Sequence, residues 1–111
     1  MRFLAIDHGD KRTGIALSDE DETMAGPHSV IETQNESYLI DCIAKLAGRE
    51  SIDAIVIGLP LNMDGSEGAR AKRVRMFAQR LSAVVTLPIH FHDERLSSYT
   101  AEELFAGQKL T

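Results

Sequence analysis

Arg2-Phe3-Leu4-Ala5-Ile6-Asp7-His8-Gly9-Asp10-Lys11-Arg12-Thr13-Gly14-Ile15-Ala16-Leu17-Ser18 is the stretch that decides the fold. Apolar runs at 2–7 and 13–18 enclose a cluster of turn formers, the pattern of a β-hairpin whose first strand ends on an acid. Gly9 and Gly14 bracket the turn, where the chain must bend tightly or approach another group closely.

Working outward, the acidic run Asp19 to Glu22 makes the next turn, and Met24 to Ile31 reads as a third strand. Gly26-Pro27 interrupts it, and proline confines it to a sheet edge. Asn35 is placed to cap a helix running to about Gly48, with Leu39, Cys42, Ile43, Leu46 and Ala47 at helical spacing. Ile52 to Gly58 is a β-branched run of the kind buried on both faces of a sheet. The loop from Leu59 to Gly65 follows, and a second helix is expected from about Ser66 to Ala83, with its apolar stripe at Val74, Phe77, Ala78 and Leu81. Pro88 to His92 reads as a fifth strand, and Ser98 opens a last helix that Gly107 ends. Hairpins first and strand–helix–strand units later predict a mixed α/β domain spanning 1–111, with helices on both faces. The expected strand order is 3-2-1-4-5, with only the second strand antiparallel to the rest.

In such a sheet, ligands gather beyond the carboxyl ends of the parallel strands. Asp7, the Gly58–Gly65 loop and Asp93-Glu94-Arg95 all fall there. With strands one, four and five as neighbours, Asp7 and Glu94 converge on an oxygen-rich site suited to Mg²⁺ or Mn²⁺. A cation there would orient a water and stabilise the leaving oxygen of a phosphodiester. Asp93 has the opposite pleat parity and is expected to point elsewhere. His90, His92 and Glu94 share parity, so a transition-metal site is an alternative for that strand. His8 is read as a turn residue rather than a general base.

Arg12 and Arg95 are candidates to hold phosphate through their guanidinium forks, with ion pairs to Asp10, Asp19 or Asp93 as the competing role. Asn62, Asp64, Gly65 and Ser66 are candidates for a mobile loop gripping a substrate backbone, Ser66 doubling as a helix N-cap. Arg70, Lys72, Arg73, Arg75 and Arg80 concentrate base on the second helix, either as a solvated face or as a track for phosphates.

The composition excludes several classes. No apolar run is long enough to span a bilayer, and Asp7 arrives too early for a signal-peptide core. A lone Cys42 offers neither a disulfide nor a thiolate zinc site. The cytoplasm is the expected compartment. The net charge of −5 disfavours nonspecific polyanion binding except through local basic clusters. A Ser-His-Asp set and a phosphate-binding Lys-Ser/Thr loop are both missing. An Asp-x-Gly hairpin like this one also surrounds nucleotide phosphates in actin-like and sugar-kinase ATPases, which need two lobes where 111 residues supply one.

Three separated motifs carry a family resemblance: Asp7 to Asp19, Val56 to Ser66, and Asp93-Glu94-Arg95-Leu96-Ser97-Ser98. In this order, and over residues 1 to 105, the chain resembles the YqgF (RuvX-type) family of RNase H-like nucleases. The resemblance implies the RNase H-like fold and metal-dependent cleavage of nucleic acid, either at the ends of precursor 16S ribosomal RNA or at Holliday junctions. It assigns catalytic roles to Asp7 and Glu94 and places Gly9, Ser97 and Ser98 in the motifs around the substrate. A noncatalytic nucleic-acid or ribosome-binding factor on the same fold is the alternative of a different class. A monomer or weak homodimer is expected. Family members carry a further metal-binding Asp on a final Ala-rich helix, whereas this chain ends at Gln108-Lys109-Leu110-Thr111. The resemblance therefore predicts that these 111 residues alone are a poor catalyst.

Overall fold

A computed structural model describes residues 2–18 and 24–93, with side chains described outside 24–28. The order is β1 (Phe3–Asp7), β2 (Arg12–Ser18), β3 (Met24–Glu32), α1 (Glu36–Arg49), β4 (Ala54–Leu59), α2 (Ala69–Ser82) and β5 (Ile89–Asp93). The sheet runs β3-β2-β1-β4-β5. β2 pairs antiparallel with both β1 and β3, while β1–β4 and β4–β5 are parallel. Order and directions are those expected from the sequence. The proline-bearing β3 takes an edge, with register shifts at Ile15/Ala16 and Ala16/Ser18. A proline cannot donate to a ladder, so the edge is where it costs least.

The pleat sorts the sheet into two faces. Leu4, Ile6, Ile15, Ile55, Ile57 and Leu59 join one core cluster with Leu39, Ile43 and Leu46 of α1 and with Val74, Phe77 and Leu81 of α2. Both described helices therefore pack on the same face. Phe3, Ala5, Ala54 and Val56 alternate with these residues and are buried as well, so β1 and β4 present apolar side chains on both faces, as a central strand must. The expected helix from Ser98 to Gly107 lies outside the described residues. Burying one such side chain as fully as Ile43, which is 0% exposed, contributes about 1.5–3 kcal/mol.

Element boundaries moved where local chemistry outweighed pattern. Asn35 caps α1 as expected, its side-chain oxygen accepting from the Tyr38 backbone N–H at 3.1 Å. Cys42 sits at the margin of the α1 stripe, half-buried rather than in the core. β4 starts at Ala54, not Ile52, because the Asp53 carboxylate accepts from the Arg2 backbone N–H at 2.7 Å and closes the strand's entry. Ser66 is not the cap of α2. That helix begins at Ala69 behind Gly68, which makes no side-chain capping bond. Arg2 fastens the opposite pole: its guanidinium reaches the Ser18 carbonyl, the Glu50 carbonyl and the Glu50 carboxylate. None of the described helices is long and apolar enough to cross a membrane.

Candidate active site at the carboxyl end of the sheet

Asp7 closes β1, opposite Gly14 of β2. It shares pleat parity with Ala5 and Phe3, so its carboxylate lies on the face away from α1 and α2. Asp7 is exposed, and its carboxylate makes no ion pair or hydrogen bond among the described residues. The parallel registers Ile6↔Ile57 and Ile57↔Phe91 carry the same row across the sheet. One step on, Gly58 pairs with His92, placing Gly58 beside Asp7 and His92 beyond it on the same face. A glycine at that point leaves the floor between β1 and β5 without a side chain. The two strands stand about 10 Å apart, twice the interstrand spacing, so long carboxylate side chains from either side can approach one ion.

Glu94 follows β5 directly and falls outside the described residues, as do Arg95, Ser97 and Ser98. Asp93 pairs with Leu59 and takes the helix face by parity, away from Asp7, as expected. His90 is half-buried and His92 is buried. Among the described residues no three His, Cys, Asp or Glu side chains form a ready metal cluster. Asp7 nevertheless suits a hard cation: an exposed, uncommitted carboxylate offers oxygen without a competing partner.

The hairpin turn explains its glycine. A Cβ on Gly9 would stand 2.2 Å from the Arg12 carbonyl oxygen, so no other residue fits there without displacing backbone. The Gly9 N–H and the Thr13 hydroxyl meet at 3.4 Å across the turn, and the Thr33 N–H donates to the Lys11 carbonyl at 2.9 Å. The turn is thus tied to the end of β3. Arg12 is not poised over the site. It pairs with Glu32 at 2.8 Å on the neighbouring strand, a partner outside the three carboxylates the sequence nominated.

The loop after β4 is bonded internally by its own side chains. Ser66 donates to the Asp64 carboxylate from its N–H at 2.9 Å and from its hydroxyl at 2.6 Å. The same hydroxyl accepts from the Asn62 amide at 3.0 Å. Gly65 adopts φ 88°, a left-handed conformation that favours glycine. Asn62, Asp64 and Ser66 remain exposed, but their first hydrogen bonds are to one another. Met63, 91% exposed, stands at the tip.

The basic helix is more neutral than its sequence suggests. Arg73 pairs with Asp10 at 3.1 Å, Arg75 with Glu67 at 2.6 Å and Arg80 with Glu36 at 2.6 Å. Arg75 also lies 4.9 Å from the ring centre of Phe91. Arg70 and Lys72 have no such partner among the described residues. The pairings were invisible in sequence because each joins positions far apart in the chain or in different elements.

His8 was read only as a turn residue. Its ring packs on Phe77 at 4.4 Å between centroids. Burial pushes its pKa below the ordinary imidazole range, opposed by Glu36 and Asp10 and reinforced by Arg70 and Arg73. The ring forms one wall of a recess of about 230 Å³ between the hairpin turn, the start of α1 and the middle of α2. Gln34, Met76 and Glu36, which also line it, had no distinguishing signal in the sequence, since none belongs to a motif.

The sheet order β3-β2-β1-β4-β5, with β2 alone antiparallel, defines a domain of RNase H-like fold. Residues 1–111 match the family described as "RuvX: Holliday junction resolvase", and the chain belongs to that family. It is 43% identical over 103 residues to a protein of Maridesulfovibrio salexigens named "Putative pre-16S rRNA nuclease", covering 93% of this chain and 76% of that one. In fold it is similar to Thermus thermophilus RuvC solved with a Holliday junction substrate, with TM-score 0.63 and 12% identity, over 84% of this chain and 64% of that one. It is also similar to a ROK family protein of Streptococcus pneumoniae, with TM-score 0.55 and 15% identity, but covers only 34% of that chain. These two structural likenesses speak to the fold alone. The second covers 84% of this chain but about a third of a larger molecule.

Proposed function

We propose that this chain hydrolyses nucleic-acid phosphodiesters, with the 5′ region of precursor 16S ribosomal RNA as substrate. The observation that carries the reading is Asp7: an exposed carboxylate, unpaired among the described residues, that ends the central strand beside side-chain-free Gly58. Family membership and the name of the Maridesulfovibrio relative support the reaction and the RNA.

Asp7 and Glu94 would hold Mg²⁺ or Mn²⁺, which when bound supplies Lewis-acid stabilisation and an activated water. Asp7 fixes the position of attack because β1 is braced on both sides by β2 and β4. Arg70 and Lys72 offer uncommitted cations to phosphates flanking the cut, with Arg73 released to join them if Asp10 yields. Gly9, Arg12 and the Asn62–Ser66 loop (Asn62, Asp64, Gly65 and Ser66) lie at the same end of the sheet as Asp7, and Arg95, Ser97 and Ser98, outside the described residues, complete the proposed substrate contacts. No covalent intermediate is required. A cytoplasmic location follows from an rRNA substrate, and a monomer suffices for end trimming.

The family description favours a second reading, resolution of four-way DNA junctions, which would call for a dimer with two sites. Labelled precursor 16S RNA and a four-way DNA junction, each incubated with Mn²⁺ and either the wild-type protein or Asp7→Asn, separate the readings. Slow cleavage of the RNA, lost in Asp7→Asn, is expected of these 111 residues. Cleavage of the junction alone moves the assignment to DNA, and binding of both without cleavage replaces the enzyme by a binding factor.

A further inference from the structure

The recess walled by His8 lies around the corner from Asp7, on the helix face of the sheet, and nothing in the proposed chemistry uses it. Its floor is apolar: buried Leu39 of α1, the half-exposed thioether of Met76 on α2, and the His8 ring held against Phe77. Its rim is polar but electrically matched. Asp10 pairs with Arg73 on one side and Glu36 with Arg80 on the other, so two cations and two anions cancel at the mouth. The Gln34 amide adds a donor and an acceptor at the same edge.

A free anion gains little from a rim that is already neutralised. A flat, uncharged heterocycle gains from every wall: ring and thioether contacts on its faces, and alternating donors and acceptors at its edge. The volume of about 230 Å³ accommodates one such ring system with room to spare. Arg70, in the first turn of α2, has no carboxylate partner among the described residues and leaves a cation at the same end of the sheet for a backbone phosphate. His8 and Asp7 are consecutive and His8 lines the recess, so the recess borders the strand end that carries Asp7.

We infer that the recess between the β1–β2 turn, α1 and α2 receives one unstacked nucleobase of the substrate strand, next to the phosphodiester bound at Asp7. The inference rests on the nuclease reading and deepens it, since it requires a substrate with at least one unpaired nucleotide beside the cut.

The test is a set of single-stranded oligoribonucleotides carrying 2-aminopurine at successive positions, titrated with the protein in EDTA so that binding is read without cleavage. One register is expected to change its emission at least about twofold on saturation. An abasic residue at that register should weaken binding about tenfold, within the range for loss of one stacked base. Met76→Glu should abolish the emission change, whereas Gln79→Glu, the same charge change on α2 outside the recess, should preserve it. Unchanged melting temperatures in both variants keep the comparison fair, as both positions are exposed. Emission that changes at no register while the oligonucleotide binds, or that survives Met76→Glu, overturns the inference; Asp7-dependent cleavage in parallel samples with Mn²⁺ then leaves the nuclease reading standing. Failure to bind any oligonucleotide overturns both. Saturation by free 2-aminopurine ribonucleoside monophosphate, with no response from the strands, would reassign the recess to a free nucleotide and likewise overturn it.

Discussion

At Gly9 a single hydrogen atom in place of a methyl group holds the site together. The turn brings the Arg12 carbonyl to 2.2 Å from where a Cβ would stand, and that oxygen is backbone and cannot swing aside. Gly9→Ala should therefore destabilise the protein by about 1–3 kcal/mol, as expected for overpacking that displaces main chain. Urea unfolding should report a lower midpoint with an unchanged slope; a midpoint equal to wild type would mean the turn relaxes freely. Asp7 is the converse case. It is exposed and unpaired among the described residues, so its replacement by Asn should leave stability within about 0.5 kcal/mol while removing cleavage. The two residues lie two positions apart, one selected for shape and the other for charge. The tight turn at Gly9 was legible in sequence, and so was the position of Asp7 at the end of a strand; the role of Asp7 is the proposal made above. The ion-pair partner of Arg12 was not named from sequence because Glu32 is 20 residues away, and strand register cannot be counted from one sequence.

At the scale of elements, α2 shows how a basic run becomes a nearly neutral surface. Arg73, Arg75 and Arg80 reach three different segments for their carboxylates, leaving Arg70 and Lys72 to face the solvent. Exposed pairs of this kind contribute little stability, typically 0–1 kcal/mol by general experience, but they neutralise cations that would otherwise attract phosphate. Replacing Arg70 and Lys72 together with Ala should lower the salt slope of RNA affinity by about 1–2. Replacing Arg75 and Arg80 together should change it by less than half as much. Equal effects from the two double variants would show that the ion pairs open on binding and that the helix acts as one track. The stripe Val74, Phe77, Ala78 and Leu81 was readable from spacing, and all four are buried. The start of α2 was not, because Ser66 has capping chemistry but spends it on Asp64, and the helix waits for Gly68.

For the whole molecule, the sheet order places the ends of β1, β4 and β5 side by side, so a cation bound there ties three strands together. Ligands that bind only the folded state raise its stability by mass action. Millimolar Mn²⁺ should therefore raise the melting temperature of the wild-type protein by a few degrees and that of Asp7→Asn by much less. Equal shifts would place the stabilising ion away from Asp7. The modest size of the expected shift follows from a site whose described part contributes a single carboxylate, since Mg²⁺ and Mn²⁺ depend on several charged oxygens for tight binding.

By itself the sequence determined the five strands, the two described helices, their order and the acid at the end of β1, because alternation, helical spacing and turn chemistry are local and each is written in a few consecutive residues. It also predicted the crossing pattern of the sheet, since strand–helix–strand connections admit one hand. Only the tertiary structure decided which arginines are spent on carboxylates, that the loop after β4 braces itself, and that His8 leans on Phe77 to wall a recess. The arginine pairings and the His8–Phe77 contact join different elements and are fixed only when the core beneath them has packed, whereas the loop's bonds are short-range and depend on which of several competing partners each side chain takes.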